Sequence, residues 1–328
     1  MGRGGQSVGR ESRLMRARIA IALACVAAGA GAQDYPARPI RFIIPSPTGA
    51  TTDVLARITA QKVAEQFGKQ LILDNRPGAG SIIGTDMVAK AAPDGYTIGM
   101  IYTTHTANAS LQKLPYDPIG DFSHVTMLTS APLLLVVAPS LGVNSVRDLI
   151  ALSKTKPLNY GSAGVGSGGH MSGELFRMMA GINITHVPHR GAAAASIDVA
   201  AGNLAFQFAS QITTQALLKG GRLKALAVTS AKRAASLPEA PTVAESGLPG
   251  YEVLNWFGVT SPAKMPPPVL AKLNTAFARA LQYPDAREKL TGEGSELVGN
   301  SSAEFTAFLK NDLAKWAKVV KEAGIKID

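Results

Sequence analysis

Short apolar runs alternate with longer segments of helical periodicity through the first half of the chain. Runs of β-branched and aliphatic residues are typical of buried strands, whereas apolar positions three and four residues apart indicate helices. The strand pattern occurs at 40–44, 71–74 and 97–102, and the helical pattern at 52–67 and 82–91. Strands and helices that alternate in this way predict parallel sheets with right-handed crossovers.

The same alternation begins again near residue 133. Strands are predicted at 133–137, 158–161, 184–187, 204–208 and 224–228, and helices at 146–155, 170–180, 192–201 and 212–218. The last third is predicted to be helical and to end in an amphipathic helix at 302–323. Two successive patterns predict an α/β fold with two lobes, each a mainly parallel sheet flanked by helices.

Two passages rich in proline and glycine separate these patterns, and there we expect the chain to cross between the lobes. They lie at 127–132 and 247–268, and linkers of this composition commonly mark domain boundaries. The predicted division is 33–130 for the first part of lobe 1, 131–254 for lobe 2, and 255–328 for the second part of lobe 1.

Residues 1–32 have the three parts of an export signal. Arg16 and Arg18 supply positive charge, an apolar run follows at 19–28, and small residues at 30–32 form a cleavage site. Met15 is the natural start of this pattern, which makes residues 1–14 an upstream extension. We therefore expect a periplasmic protein whose one cysteine, Cys25, is removed with the signal.

Charge and side-chain chemistry argue against several classes of function. The formal charge is +10, of which +4 falls in residues 1–32, and the remaining lysines and arginines are scattered along the chain. Nucleic-acid binding is therefore not expected. The expected mature chain has no thiol, and its five histidines do not have the spacing of metal ligands, so we expect no metal and no cofactor.

Two loops rich in glycine, serine and threonine each follow a predicted strand and lead into a helix. They are the first loop (residues 45–53, PSPTGATTD) and the glycine loop (residues 162–170, SAGVGSGGH). Both would lie at the carboxyl ends of parallel strands, where α/β proteins bind ligands. Helix N-termini, glycine amides and hydroxyl groups suit a carboxylate or a phosphate. The alternative is that both loops only supply turn and cap residues.

The glycine loop also has the dinucleotide-binding spacing G-x-G-x-x-G, through Gly164, Gly166 and Gly169. The acidic residue that normally follows about 20 positions later is absent, and His189 with Arg190 would at best suit NADP. An exported or NADP-using α/β enzyme that acts on a small carboxylate is therefore a second hypothesis.

Several short motifs run in order along residues 35–328. They include YPARPIR at 35–41, DNRPGAG at 74–80, AAPDGY at 91–96, LPYD at 114–117, HVPHRG at 186–191 and LPGY at 248–251. Together they resemble the Bug-type periplasmic solute-binding proteins of the tripartite tricarboxylate transporter family. The resemblance implies a Venus-flytrap receptor, not an enzyme, that holds a di-, tri- or aromatic carboxylate and delivers it to membrane permease subunits. We expect a monomer; a ligand-sensing subunit of a signalling receptor would share the fold.

The resemblance also implies which residues contact the carboxylate through amides, hydroxyl groups and bridging waters. The first loop and the glycine loop would act as two pincers, and the segments 77–81 and 103–105 would also face the cleft. The expected ligand contacts are Ser46, Thr48, Gly49, Thr51, Thr52, Ala79, Gly80, Ser81, Thr104, Ser162, Gly164, Gly166, Ser167, Gly168, His170 and Ser210.

The chain departs from the family pattern at several of these positions. Ser46 stands where the family commonly has Phe, Thr48 where it has Pro, and Ala50 where it has Gly. His189 replaces a frequent Tyr, and residues 209–213 replace a loop that contains Asp-Asn. The smaller Ser46 and the added Thr48 hydroxyl predict a larger or more polar ligand.

Overall fold

The computed structural model describes residues 35–291 and 295–323. The predicted signal and its extension at 1–32 lie outside the described residues. All elements named below belong to the compact unit that begins at Pro39. Among the residues that the structure describes, no helix is both long enough and apolar enough to cross a membrane.

Strands and helices alternate along most of the described chain. The strands are β1 Ile40–Ile44, β2 Leu71–Asn75, β3 Thr97–Tyr102, β4 Phe122–Pro132, β5 Leu134–Val137, β6 Leu158–Ser162, β7 Ile184–Pro188, β8 Phe206–Ala209, β9 Lys224–Val228, β10 Leu254–Pro262 and β11 Glu296–Leu297. The helices are α1 Thr51–Phe67, α2 Ile82–Ala89, α3 Thr104–Leu111, α4 Val146–Thr155, α5 Gly168–Ala180, α6 Ala192–Ala201, α7 Gln211–Lys219, α8 Pro267–Ala280, α9 Pro284–Thr291 and α10 Ser302–Ala323.

The strands form two sheets flanked by helices, which confirms the predicted two-lobed α/β class. The order is β11-β4-β10-β3-β1-β2 in the first sheet and β7-β6-β8-β5-β9 in the second. β1 pairs in parallel with β2 and β3, and β6 pairs in parallel with β7 and β8. The first loop and the glycine loop therefore follow β1 and β6 at the carboxyl ends of parallel strands.

Both sheets are mixed, where the sequence predicts mainly parallel ones. β10 returns from the second sheet and inserts between β3 and β4, while β5 arrives from the first sheet and inserts between β8 and β9. All of these pairings are antiparallel, because each inserted strand runs against its neighbours. The last third of the chain, predicted to be helical, thus contains β10 and β11 as well as helices.

An aromatic cluster forms the centre of the second core. Phe176 packs edge to face on Phe206 and Phe208, and Tyr160 stacks on Phe206. Tyr160 fits because Gly173 lacks a side chain, since a Cβ there would come within 2.2 Å of the ring. Each buried aromatic side chain removes roughly 150–250 Å² from water, so this cluster stabilises the lobe that carries the glycine loop.

The C-terminal helix α10 contacts both cores. Phe305 and Leu309 pack with Trp256 of β10 beside the first sheet. Trp316 and Val320, further along the helix, belong to the buried cluster of the second sheet. α10 therefore links the two lobes in addition to the crossings between β4 and β5 and between β9 and β10.

Candidate functional site

The first loop runs from the end of β1 into the first turn of α1, and a buried carboxylate holds its shape. Asp53 accepts hydrogen bonds from Gly49 N (2.9 Å) and Asn75 Nδ2 (3.0 Å). Arg57 Nε donates to the same carboxylate at 2.9 Å, and Asn75 also donates to Ser46 O at 3.1 Å. Burial raises the pKa of Asp53, but the hydrogen bonds outweigh it and hold the pKa below its ordinary value. Asp53 is therefore a charged brace of the loop.

Some hydrogen-bond donors of the first loop are left available to a ligand. The Ser46 hydroxyl is buried, with the residue 4% exposed, and has no hydrogen-bond partner in the described part of the chain. Ala50 precedes α1 without providing a side-chain cap, so the amides of Thr51 and Thr52 lack acceptors within the helix. Thr48 lies exposed near the tip of the loop. A buried hydroxyl and uncapped helix amides in one loop are complementary to an oxyanion.

Hydroxyl groups also meet where β3 ends. Ser81 Oγ and Thr104 Oγ1 lie 2.8 Å apart and share a hydrogen bond. Tyr102 OH donates to Pro45 O at 3.1 Å, which ties the end of β3 to the start of the first loop. Burial raises the pKa of Tyr102, so its phenol stays a neutral donor.

Thr103 precedes helix α3 and Thr104 and His105 begin it, and the three residues do not all face the loops. Thr103 Oγ1 donates to Asn255 Oδ1 at 3.1 Å, on the crossing strand β10. His105 is buried among aromatic rings, and its Nε2 lies 2.9 Å from Pro118 O. His105 is therefore a core residue, in contrast to the expectation that the whole segment faces the cleft.

The glycine loop is braced by hydrogen bonds within its own lobe. Gly164 N donates to Ser162 Oγ at 3.0 Å, and the same hydroxyl lies 2.7 Å from His186 Nε2. Gly166 N donates to His170 Nδ1 at 3.1 Å. The amides of both glycines are therefore occupied by side chains of the loop itself, Ser162 and His170, and His186 of the neighbouring strand β7 holds the Ser162 hydroxyl.

The start of α5 leaves fewer donors open than the start of α1. Ser167 caps α5, since its hydroxyl accepts a hydrogen bond from His170 N at 3.3 Å. The amides of Gly168 and Gly169 in the first turn have no acceptor within the helix.

His170 and His186 form a neutral stacked pair behind the glycine loop. Their ring centroids are 4.1 Å apart. Burial lowers the pKa of His170 to about 4. Burial also lowers the pKa of His186 to about 3, and the neighbouring His170 ring adds to the shift. Both rings therefore stay uncharged near neutral pH, and the Nδ1 atom of His170 serves as an acceptor for the loop.

His189 and Ser210 make their hydrogen bonds within the second lobe. His189 Nε2 lies 2.8 Å from Asp198 Oδ2 and joins the end of β7 to α6. Ser210 precedes α7, and its hydroxyl lies 3.1 Å from Thr213 Oγ1. These contacts shape the loops beside the site.

The two lobes come together at α3 and at the start of β10. A Cβ on Gly166 would lie 2.9 Å from Asn108 Oδ1, and Asn108 Nδ2 donates to Gly80 O at 2.8 Å. A Cβ on Gly168 would lie 3.2 Å from Asn255 Oδ1. The structure thus gathers Gly80, Gly166 and Gly168 around two asparagines that sequence analysis did not single out.

The chemistry of the site is that of neutral hydrogen-bond donors. Across residues 35–291 and 295–323, no group of three or more His, Cys, Asp or Glu side chains is placed to hold a metal ion. The acid nearest the open donors, Asp53, is already engaged by three partners. The arrangement is suited to holding an oxyanion through amides and hydroxyl groups, not to moving a proton.

Sequence comparison places the chain in a known group of proteins. The model of the tripartite tricarboxylate transporter family receptor, TctC, matches residues 55–325. Protein BugT of Bordetella pertussis is 34% identical over 314 residues, which cover 94% of this chain and 96% of BugT. A UPF0065 protein from the tcbD-tcbE intergenic region of Pseudomonas sp. strain P51 is 35% identical over 321 residues, covering 96% and 95%.

Solved structures agree with this placement. The R. palustris protein Rpa4515, solved with adipate, is 38% identical with a TM-score of 0.81, covering 89% of this chain and 99% of that one. MatC from Rhodopseudomonas palustris, solved with bound malate, is 29% identical with a TM-score of 0.77, covering 87% and 100%. The periplasmic binding protein BugD is 31% identical with a TM-score of 0.78, covering 89% and 99%.

These matches extend over nearly the whole chain. They confirm the resemblance and the periplasmic-binding-protein fold predicted from the sequence, and the members of the family are periplasmic receptors for solutes, not enzymes. The hypothesis of an exported or NADP-using α/β enzyme is therefore wrong, and the G-x-G-x-x-G spacing belongs to a braced loop of a receptor. The chain belongs to the tripartite tricarboxylate transporter receptor family.

Proposed function

We propose that this receptor captures a small organic carboxylate in a cleft between its lobes and delivers it to the permease subunits of its transporter. The observation that carries the proposal is the buried Ser46 hydroxyl, which has no partner among the described residues and precedes the uncapped first turn of α1. A buried polar group without a partner is costly, and a carboxylate oxygen would satisfy it. Relatives solved with adipate and malate support an acid as the ligand.

One group of donors in each lobe would contact the carboxylate directly. In the first lobe these are Ser46 Oγ and the amides of Thr51 and Thr52, because they remain open at a helix N-terminus. In the second lobe the amide of Gly168 is the counterpart, at the start of α5. The remaining proposed residues shape these two groups or border the ligand: Thr48, Gly49, Ala79, Gly80, Ser81, Thr104, Ser162, Gly164, Gly166, Ser167, His170 and Ser210.

The proposed cycle is a closure of two lobes around the acid. Lobe 1 would comprise 33–130 and 255–328, and lobe 2 would comprise 131–254, with α10 contacting both cores. The acid favours the closed form because only there can donors from both lobes reach it. The receptor would act as a monomer in the periplasm after removal of residues 1–32.

Mass spectrometry of small molecules released from natively purified protein tests the proposal. We expect one carboxylic acid per chain, recovered chemically intact after long incubation with the protein. Small-angle scattering with that acid at saturation should give a smaller radius of gyration than the acid-free protein. A neutral or cationic molecule in its place, or turnover of the acid, would overturn the proposal.

A further inference from the structure

The turn at residues 78–81 has an unusual backbone. Gly78, Ala79, Gly80 and Ser81 all have positive φ angles, of 130°, 46°, 60° and 81°. Ala79 and Ser81 carry side chains, and left-handed backbone is unfavourable for such residues. A strained conformation of this kind persists only where surrounding contacts hold it.

One face of α3 provides these contacts. Thr104 and Asn108 are four residues apart, so they lie one above the other on the helix. Thr104 Oγ1 shares a 2.8 Å hydrogen bond with Ser81 Oγ, and Asn108 Nδ2 donates to Gly80 O at 2.8 Å. The hydrogen bond to Gly80 O also identifies which end of the Asn108 amide is the nitrogen.

The opposite end of the same amide meets the second lobe. Asn108 is 2% exposed, and its Oδ1 would lie 2.9 Å from a Cβ on Gly166, closer than such atoms normally approach. Leu111, one turn further along α3, would lie 3.5 Å from that Cβ. Ala107, the residue before Asn108, belongs to the buried cluster of the second sheet. α3 is therefore the surface against which the glycine loop rests.

We propose that Asn108 is a positioning residue that fixes the distance between the first loop and the glycine loop. The side-chain nitrogen of Asn108 holds the strained turn beside the first loop. Its side-chain oxygen contacts Gly166 when the lobes are closed and limits how closely the glycine loop can approach α3. The inference rests on the proposed function, because it assigns Asn108 the separation of the two loops that would hold the acid. Gly166 must lack a side chain for this contact, in addition to its positive φ of 75°.

A double-mutant cycle, read out by the distance between the lobes, tests whether Asn108 sets this distance. The chain without residues 1–32 has no cysteine, so spin labels are attached to cysteines that replace the exposed Lys154 on α4 and Lys272 on α8. Gly166→Ala should lower the population of the short interlobe distance, because its Cβ meets Asn108 Oδ1. In an Asn108→Ala background the same substitution should have an effect smaller by at least about twofold, the size of a modest contact coupling.

Gly164→Ala is the matched control. Gly164 lies in the same loop with a positive φ of 124°, but a Cβ there would approach only His189 O, at 3.6 Å. Its effect should therefore be the same in both backgrounds. Additive effects of Gly166→Ala and Asn108→Ala, or absence of the short distance in the parent chain, would overturn the proposal.

Hydrogen exchange of the turn keeps the proposal testable if the labelled variants fold poorly. Asn108→Asp retains the size of the side chain but loses the donor to Gly80 O, so a peptide that covers residues 77–85 should exchange about tenfold faster. Unchanged exchange there would contradict the role of the nitrogen. Neither readout uses a ligand, so the failure of this inference is distinguishable from the failure of carboxylate binding.

Discussion

The first loop and the glycine loop resemble each other in sequence but satisfy their donors in different ways. In the part of the chain that the structure describes, the Ser46 hydroxyl of the first loop has no hydrogen-bond partner, and the first amides of α1 have no acceptor within the helix. The charged Asp53 braces this loop. The glycine loop occupies the amides of Gly164 and Gly166 with its own side chains. Under the proposed function, the first loop would therefore supply more donors to the anion than the glycine loop, which uses these two amides to keep its shape.

Under the proposed function, this difference would give the two lobes separate tasks. Open donors at a helix N-terminus supply attraction for an oxyanion without a charged side chain, so the first lobe would contribute most of the binding free energy. A rigid loop that contributes only the start of α5 would complete the site on closure. Substitutions and conditions that act on one loop and leave the other unchanged test this difference.

The largest expected effect is the loss of stability at acid pH that the neutral His170 of the glycine loop causes. Burial lowers the pKa of His170 to about 4, whereas histidine in an unfolded chain titrates near 6.5. The unfolded chain therefore takes up the proton first as the pH falls. The free energy of unfolding should decrease between about pH 6.5 and pH 4, by on the order of 3 kcal/mol for this group.

Chemical denaturation of wild-type protein and His170→Asn across this pH range checks the expectation. The asparagine keeps an acceptor for Gly166 N but does not titrate. The slope of unfolding free energy against pH should be shallower in the variant by about one proton, or about 1.4 kcal/mol per pH unit. Equal slopes would contradict the role of His170 as the neutral brace.

Removal of the charged brace should weaken binding by the first loop. Asp53→Ala leaves Gly49 N and Asn75 Nδ2 without their acceptor, so the backbone around Ser46 is no longer held. We expect carboxylate affinity to fall by about 30-fold, equivalent to about 2 kcal/mol, in isothermal titration. Asp86→Ala, which removes an acid from the neighbouring α2, is the control and should bind normally. Equal affinity in both variants would argue against the first loop as the main binding element.

A smaller effect is expected at the start of α5. Gly168→Val adds a Cβ that would lie 3.2 Å from Asn255 Oδ1 and 3.4 Å from Leu133 Cδ1, and its methyl groups would crowd the amide of the same residue. The affinity should fall by about tenfold, or about 1.4 kcal/mol. Gly181→Ala is the control, because Gly181 lies at the C-terminal end of α5 and its added Cβ would have no neighbour within 4 Å. This variant measures any loss of affinity that comes only from a change in the stability of the helix. Undiminished binding by folded Gly168→Val would mean that this end of the glycine loop does not touch the ligand.

The smallest expected effect is that of pH on affinity near neutrality. Hydroxyl groups and amides do not titrate there, and His170 remains neutral. Affinity measured between pH 6 and pH 8 should therefore change by less than about twofold. A tenfold loss over this interval would show that a titrating side chain contacts the acid.

The positions of both loops could be predicted because the strands before them have strong local patterns. β1 (IRFII) and β6 (LNYGS) are short strands followed by glycine and serine or threonine, and parallel pairing brings their carboxyl ends to one edge of each sheet. The long strands β4 and β10 could not be predicted in the same way. β10 is buried on both faces over most of its length, so it shows no alternation, and its partners lie far away in the sequence.

The residues that hold the segments around the site together were also beyond the reach of local patterns. Asn108 and Tyr102 have ordinary places in a short helix and a buried strand, and only tertiary contacts show that they hold Gly80 and Pro45. The bond from Gly166 N to His170 is local, yet an anion would compete for the same amide, so composition alone does not decide its partner.

Thermal melting with matched acids and amides tests the central claim most directly. Adipate, malate and an aromatic acid are each compared with the corresponding amide at equal concentration, in wild-type protein and in Ser46→Ala. An acid that binds should raise the melting temperature in proportion to RT ln(1 + [L]/Kd), its amide should leave it nearly unchanged, and Ser46→Ala should reduce the shift. Equal shifts for an acid and its amide would contradict recognition of a carboxylate by neutral donors.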